Sequence, residues 1–196
     1  AFVAGQYLTL IADIDGEEVR RSYSICGGEQ DALLRIGVKR VKEGRMSNYL
    51  PNALKVGDTV DVMFPAGNFK LEDGSKSYVA FAAGSGITPI LSMIKEISQQ
   101  EINSEFLLFY SNKTSRDVMF QEDINSLTNE NISAKFIFTR EDSEKELYNG
   151  RINESKAMEL IKSEMSFLNA DAFFICGPEE MIFSSKNALE SLGIDK

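Results

Sequence analysis

In LLRIGVKRV (33–41), Leu34, Ile36 and Val38 alternate with Arg35, Gly37 and Lys39, and in TVDVMF (59–64), Val60, Val62 and Phe64 alternate with Thr59, Asp61 and Met63. A period of two with one apolar face predicts half-buried antiparallel strands. Turn signals lie between such runs in the first third of the chain: DIDGEE, GGEQD, KVGD and PAGN. This is the material of a β-barrel or sandwich.

After EDGSKS (72–77) the pattern changes. Uninterrupted apolar runs appear at YVAFAA (78–83), FLLFY (106–110), KFIFT (135–139) and AFFIC (172–176). Strands without alternation are buried on both faces. Between them, Ile90, Met93, Ile94 and Ile97, and then Phe120, Ile124 and Leu127, recur at helical spacing. Strands alternating with helices predict a parallel sheet. The chain is expected to hold two domains: an antiparallel β-barrel over 1–74, incomplete because AFVAGQYLTL starts almost inside a strand, and an α/β parallel-sheet domain over 75–196.

Composition narrows the chemistry. The chain has 196 residues and a formal net charge of −9, which disfavours nucleic acid and anionic membrane surfaces as partners. Histidine is absent, which removes Ser-His-Asp catalysis and histidine metal sites. Cys26 and Cys176 are the only cysteines, too few for an iron–sulfur cluster and no disulfide framework, so no metal site and a reducing cytoplasm are expected. The uncharged stretch 77–94 approaches the length of a membrane span, about 20 residues. GSGITP at its centre makes it a strand, a turn and a helix instead.

That turn is the first candidate site. In AAGSGITPIL, Gly84 and Gly86 allow close approach of the backbone, Thr88 reads as an N-cap and Pro89 as the first helical residue. A helix start of this kind accommodates a diphosphate, and taken alone it is equally a packing device. FFICGPEEM (173–181) repeats the grammar, with Cys176, Gly177 and Pro178 at the carboxyl end of a buried strand, where ligands of such sheets sit. Thr139 and Arg140 in FTRED, and Ser111, Lys113 and Arg116 in YSNKTSR, bring hydroxyls and cations to the same edge. They suit a 2′-phosphate as well as they suit solvent. In RRSYSI (20–25), alternation puts Arg21 and Tyr23 on one face and Ser24 on the other unless the strand bends or ends there. By itself this is an exposed strand with a polar face.

In this order the pieces resemble the ferredoxin–NADP+ reductase superfamily. RSYS is similar to its flavin motif, GRMS (44–47) to its second flavin motif, GSGITP to its nicotinamide-nucleotide turn and ICGP to its cysteine-glycine-proline. The stretches AGQYLTL, GVKRVKEGRMSNYL and AAGSGITPILSMIK look most like reductase components of multicomponent oxygenases, of the phenylacetyl-CoA epoxidase reductase and flavodoxin reductase kind, and their flavohaemoprotein-like relatives. The resemblance implies FAD and NAD(P)H as cofactors. It implies that Tyr23 stacks on the isoalloxazine, that Ser24 bonds flavin N5, and that Arg21 pairs with the FAD diphosphate. The turn Gly44, Arg45, Met46 and Ser47, helped by the backbone at Val38 and Lys39, would serve the same diphosphate. Gly84, Gly86, Thr88 and Pro89 would hold the dinucleotide, Thr139 and Arg140 its 2′-phosphate, and Cys176, followed by Gly177 and Pro178, would lie beside nicotinamide C4.

The activity so implied is hydride transfer from NAD(P)H to FAD, with Ser24 and Cys176 at the reacting atoms. Single electrons would then pass to an iron–sulfur domain or ferredoxin-like acceptor serving an oxygenase component. The family's first barrel strands, last sheet strand and any 2Fe-2S domain are expected to lie outside this chain, as in a fragment. The alternatives are a non-catalytic flavin- or nucleotide-binding subunit and an inactive apo fragment.

Overall fold

The structure, a computed structural model, describes residues 1–71, 77–99 and 104–194. The boundary placed at residue 74 lies outside the described residues.

The first half is built on a hairpin. Strands β1 (Tyr7–Ile14) and β2 (Glu17–Ser24) pair antiparallel from Tyr7↔Ser24 to Ile14↔Glu17. Asp15 and Gly16 join them with φ of 58° and 80°, the double positive φ of a tight hairpin turn, and Asp13 Oδ1 accepts from Gly16 N at 3.0 Å. The other edge of β1 carries β3 (Asp61–Val62), giving the order β2-β1-β3. Helix α1 (Arg45–Ala53) buries Met46 and Leu50 against Leu8, Leu10, Val19 and Ile25.

Two expected strands are reduced. LLRIGVKRV keeps only an isolated bridge, Ile36 to Ile25, and Leu33 is 80% exposed. Ile36 and Val38 pack on the first half's own core, whereas Arg35 reaches Asp123 in the other half. TVDVMF shortens to the two residues of β3, and Phe64 on its apolar face is 93% exposed. Among the described residues the three-stranded sheet does not close, so Val62 and Phe64 have no layer to pack on, while Val60 still meets the small core.

The second half matches its pattern closely. Strands β4 (Ser77–Ala83), β5 (Glu105–Asn112), β6 (Ile132–Phe138) and β7 (Ala172–Cys176) form a parallel sheet ordered β6-β5-β4-β7. Each central strand feeds two cores. Tyr78, Ala80 and Ala82 face the layer of α2 (Ile87–Gln99) and α3 (Gln121–Leu127), whereas Val79 and Phe81 face that of α4 (Glu154–Ser163) and α5 (Glu179–Ser191). Burial on both faces is why these strands read as continuous apolar runs. The stretch 77–94 is thereby strand, turn and helix, and among the described residues no helix is long and apolar enough to cross a membrane.

The turn after β4 differs from its expected capping. Gly84–Gly86 form a 3₁₀ turn running directly into α2, whose first residue is Ile87. Thr88 therefore lies inside the first helical turn, its Oγ1 donating to Ser85 O at 2.9 Å, and Pro89 is the third helical residue. Proline is tolerated there because first-turn N–H groups have no intrahelical partner.

The halves share a core. Ala4 and Cys26, both fully buried, pack in the same cluster as α2, and Phe69 meets Phe174 edge to face with centroids 5.2 Å apart.

Candidate active site

The chain leaves β4 for β5 on one side and returns to β7 on the other, so the carboxyl ends of β4 and β7 form a topological switch point. Two glycines let the turns there interlock. A Cβ on Gly86 would strike the carbonyl of Cys176, and one on Gly177 would meet Ala83 and Met181. Gly84 takes φ +54°, a left-handed conformation that glycine adopts without strain.

A crevice of about 840 Å³ opens above this point and reaches the first half of the molecule. Tyr23, Ser24 and Lys39 form one wall; Gly84, Gly86, Thr88, Thr139, Cys176, Gly177 and Pro178 line the other. Strand β2 ends at Ser24, which resolves the alternation problem: Tyr23 and Ser24 both reach the crevice although they are sequence neighbours. The Lys39 ammonium lies 3.0 Å from where a Gly84 Cβ would be, so this cation reaches the glycine turn across the gap between the halves.

The remaining sequence candidates lie elsewhere. Arg21 is exposed, donating Nη1 to Arg20 O at 2.7 Å, and does not line the crevice; Val38, Pro89 and Arg140 do not line it either. Gly44 and Arg45 border a separate open depression with Asp15, Asn48 and Tyr49. Arg45 is held there by Glu17 at 2.6 Å and Ile14 O at 2.7 Å, and Met46 and Ser47 are buried beneath. A Cβ on Gly44 would press on the Ser47 and Val41 side chains, so the helix start is closely packed there.

Two contributors were hidden in the run FLLFYSN. Tyr110 is fully buried, and its hydroxyl donates to Gly84 O at 2.8 Å, pinning the glycine turn from below. Burial pushes the phenol up to about 12, so it stays a donor throughout the physiological range. Asn112, 6% exposed, lines the crevice beside it, and its amide N and O make no hydrogen bond among the described residues. The amide lies next to the Tyr110 hydroxyl without a well-directed bond to it. Buried polar groups are normally satisfied, and leaving one unpaired costs about 1–3 kcal/mol. A signal for both residues was available: a phenol and an amide at the carboxyl end of a strand buried on both faces have polar atoms that need partners.

Electrostatics separate the walls. Burial raises the Cys176 thiol above its ordinary 9.0. Burial likewise raises the Tyr23 phenol, with Arg21 pulling the other way. Asp117, on the rim, is lowered chiefly by the hydrogen bond from Thr114, with Lys113 and Lys39 adding to it. Because the raised value favours the neutral thiol, alkylation of Cys176 by iodoacetamide is expected to be slow at pH 7–8 and to go on quickening above pH 9.0, where an ordinary thiol is already levelling off. Peptide mapping, which separates it from Cys26, checks this; full modification within minutes at pH 7 would contradict it.

These residues fit an extended dinucleotide beside a flat ring: a glycine turn at a helix start, cations nearby, an orphaned amide and a tyrosine facing a thiol. The comparisons with known proteins agree. Residues 1–71 match the oxidoreductase FAD-binding domain and residues 81–187 the oxidoreductase NAD-binding domain. The chain is 38% identical over 98% of its length to a 1,2-phenylacetyl-CoA epoxidase subunit from Escherichia coli, and covers 56% of that protein. It is 32% identical over 99% of its length to the glycine betaine monooxygenase reductase subunit of Pseudomonas aeruginosa, covering 54% of it. It thus spans about half the length of these curated relatives. Among solved structures, the flavohem-like FAD/NAD-binding domain of nitric oxide dioxygenase from Vibrio cholerae superposes with a TM-score of 0.85 at 26% identity, over 99% of this chain and 81% of that one. The chain belongs to the ferredoxin–NADP+ reductase family, as an oxidoreductase FAD-binding domain followed by an oxidoreductase NAD-binding domain.

Proposed function

We propose that the chain is the reductase core of a multicomponent oxygenase, taking hydride from NAD(P)H and delivering single electrons to an iron–sulfur acceptor. The observation that carries this reading is the shared crevice: Tyr23 and Ser24 from the FAD-binding half face Cys176 and the Gly84–Gly86 turn from the NAD-binding half across one cavity. FAD, when bound, supplies both the hydride acceptor and the one-electron donor that such a relay needs.

The chain's own residues bind and orient. Tyr23 offers a ring face for stacking on the flavin, and Ser24 a hydroxyl at the strand end for its reactive edge. Arg21, with the Gly44–Ser47 helix start, lies along the side where the FAD diphosphate would run. Lys39 and the first turn of α2 bring positive potential to the dinucleotide diphosphate. Asn112 offers it an amide N–H donor. Thr139 and Lys113 on the lining, with Arg140 next to them, suit a 2′-phosphate. Cys176, a thiol kept neutral by burial, would lie beside the reacting carbon of a bound nucleotide, filling space and excluding water without competing for a proton. Both thiols are free, which fits a reducing cytoplasm. The acidic chain is better suited to an iron–sulfur centre docked by covalent attachment than to steering of a free acidic ferredoxin.

The chain loaded with FAD should be yellow, should bleach with NADPH or NADH, and should then reduce a 2Fe-2S ferredoxin domain. A yellow protein that bleaches with neither nucleotide would refute the reading. One that bleaches but reduces only small artificial acceptors would refute the iron–sulfur part alone.

A further inference from the structure

The chain passes from the first half to the second once, between β3 and β4. Their mutual orientation therefore depends on non-covalent contacts. If the crevice works as proposed above, that orientation matters: reacting atoms must approach to about 3–3.5 Å, and a misplacement of about 1 Å can cost 10²-fold in rate.

One segment makes most of the directed contacts. Residues 26–39, whose second half falls in the stretch 33–41 expected as a strand, run up α2 from Ser92 toward Gln99 and then fold back to the helix start. Glu29 N donates to Glu96 Oε2 at 3.0 Å near the helix C-terminus. In the middle, the buried Ser92 hydroxyl donates to Gly27 O at 2.6 Å. Arg35 pairs with Asp123 of α3 at 2.9 Å and lies 5.3 Å from the Phe120 ring centroid, and Lys95 of α2 joins the same carboxylate at 3.5 Å. At the helix start Gly37 packs so tightly that a Cβ would sit 2.7 Å from Thr88 Cγ2, and Lys39 reaches Gly84. Tyr23 and Ser24 line the crevice just ahead of the segment, and Gly37 and Lys39 line it at the segment's end.

Apolar burial around Ala4, Cys26 and α2 is non-directional and holds the halves together without setting their register. Hydrogen bonds and ion pairs with fixed geometry do set it. We propose that residues 26–39 form an alignment strap, with Arg35 and Ser92 as positioning residues that hold the Tyr23–Ser24 wall at reacting distance from the Gly84–Cys176 wall. Neither residue lines the crevice, so the strap acts on rate and leaves nucleotide affinity alone.

The test uses the FAD-loaded chain and three variants: Arg35→Lys, Arg35→Met and the double variant Arg35→Met with Ser92→Ala. Single-turnover flavin reduction is expected to slow about tenfold in Arg35→Met and between tenfold and roughly 10²-fold in the double variant. Nucleotide Kd and FAD content should stay within about twofold, and Arg35→Lys, which keeps the charge, should recover most of the rate. In the FAD-free protein, amide exchange at Cys26, Gly28 and Glu29 should quicken at least about tenfold in the double variant, while the β4 and β5 amides keep their protection. Wild-type rates in the double variant, or a fall in rate matched by an equal loss of nucleotide affinity, would overturn the strap. If the wild-type chain transfers no hydride, the functional reading fails by itself. Exchange then decides the strap: selective release of those three amides upholds it, and unchanged exchange overturns it.

Discussion

Replacing Gly86 with alanine is expected to remove nearly all hydride transfer from NAD(P)H, by about 10²-fold or more, with a loss of stability of about 1–3 kcal/mol. The added Cβ would collide with the carbonyl carbon and oxygen of Cys176. Those atoms are backbone, so the clash cannot be relieved by a side chain changing rotamer. Either the glycine turn lifts away from β7 or the Cys176–Gly177 turn moves outward, and both displace the dinucleotide wall. Tyr110 adds to the damage, because its bond to Gly84 O ties the turn to β5 and resists a compensating shift. Single-turnover reduction and thermal unfolding of the same sample separate the two effects. A Gly86→Ala protein with unchanged turnover would show that the interlocked turns do not bind the nucleotide.

Tyr23→Ala is expected to weaken FAD binding by roughly tenfold to hundredfold, from the about 1–3 kcal/mol that stacking of a planar base on an aromatic ring contributes. Tyr23 is half-buried against the small core of the first half, with its ring at the crevice. Its removal leaves the NAD-binding half untouched, so nucleotide binding by the flavin-free protein should be unaltered. Tyr23→Phe keeps the ring and should hold FAD within about twofold. Equilibrium dialysis of FAD against the three proteins reads both results, and equal affinity for all three would take Tyr23 out of the flavin site.

How much of this was legible depended on how completely each segment is buried. YVAFAA, FLLFY, KFIFT and AFFIC each form a strand of the parallel sheet, because burial on both faces leaves a sequence pattern that little else produces. The Asp-Gly hairpin was equally plain, since few residues accept two positive φ values in succession. The first half was harder to read. Its alternating segments are only partly covered, with Ile36, Val38 and Val60 on the small core and Leu34, Val62 and Phe64 exposed, so the period of two survives in the sequence while pairing shrinks to Asp61–Val62 and one bridge at Ile36. Helix α1 escaped notice because Pro51 lies inside it and its apolar positions are few.

The site followed the same logic. Glycines, which mark turns, pointed to Gly84, Gly86 and Gly177, all at the crevice. Tyr110 and Asn112 were masked by the apolar run around them, although their polar atoms govern the glycine turn and the crevice floor. Lys39 was expected to act through its backbone toward FAD, and its side chain, about which the pattern was silent, extends to Gly84 in the other half. No local pattern reveals such a crossing, because it depends on how residues 26–39 lie along α2.

The central claim is that the two rings meet in one crevice. Anaerobic single-turnover reduction of the FAD-loaded chain, using nicotinamide nucleotide deuterated at each C4 position in turn, tests it most directly. The expected result is a slowed rate of flavin bleaching for one C4 position and an unchanged rate for the other, as direct transfer across a fixed geometry requires. Flavin reduction with no isotope effect at either position and deuterium recovered in solvent, or no reduction at all by a nucleotide that binds, would contradict it.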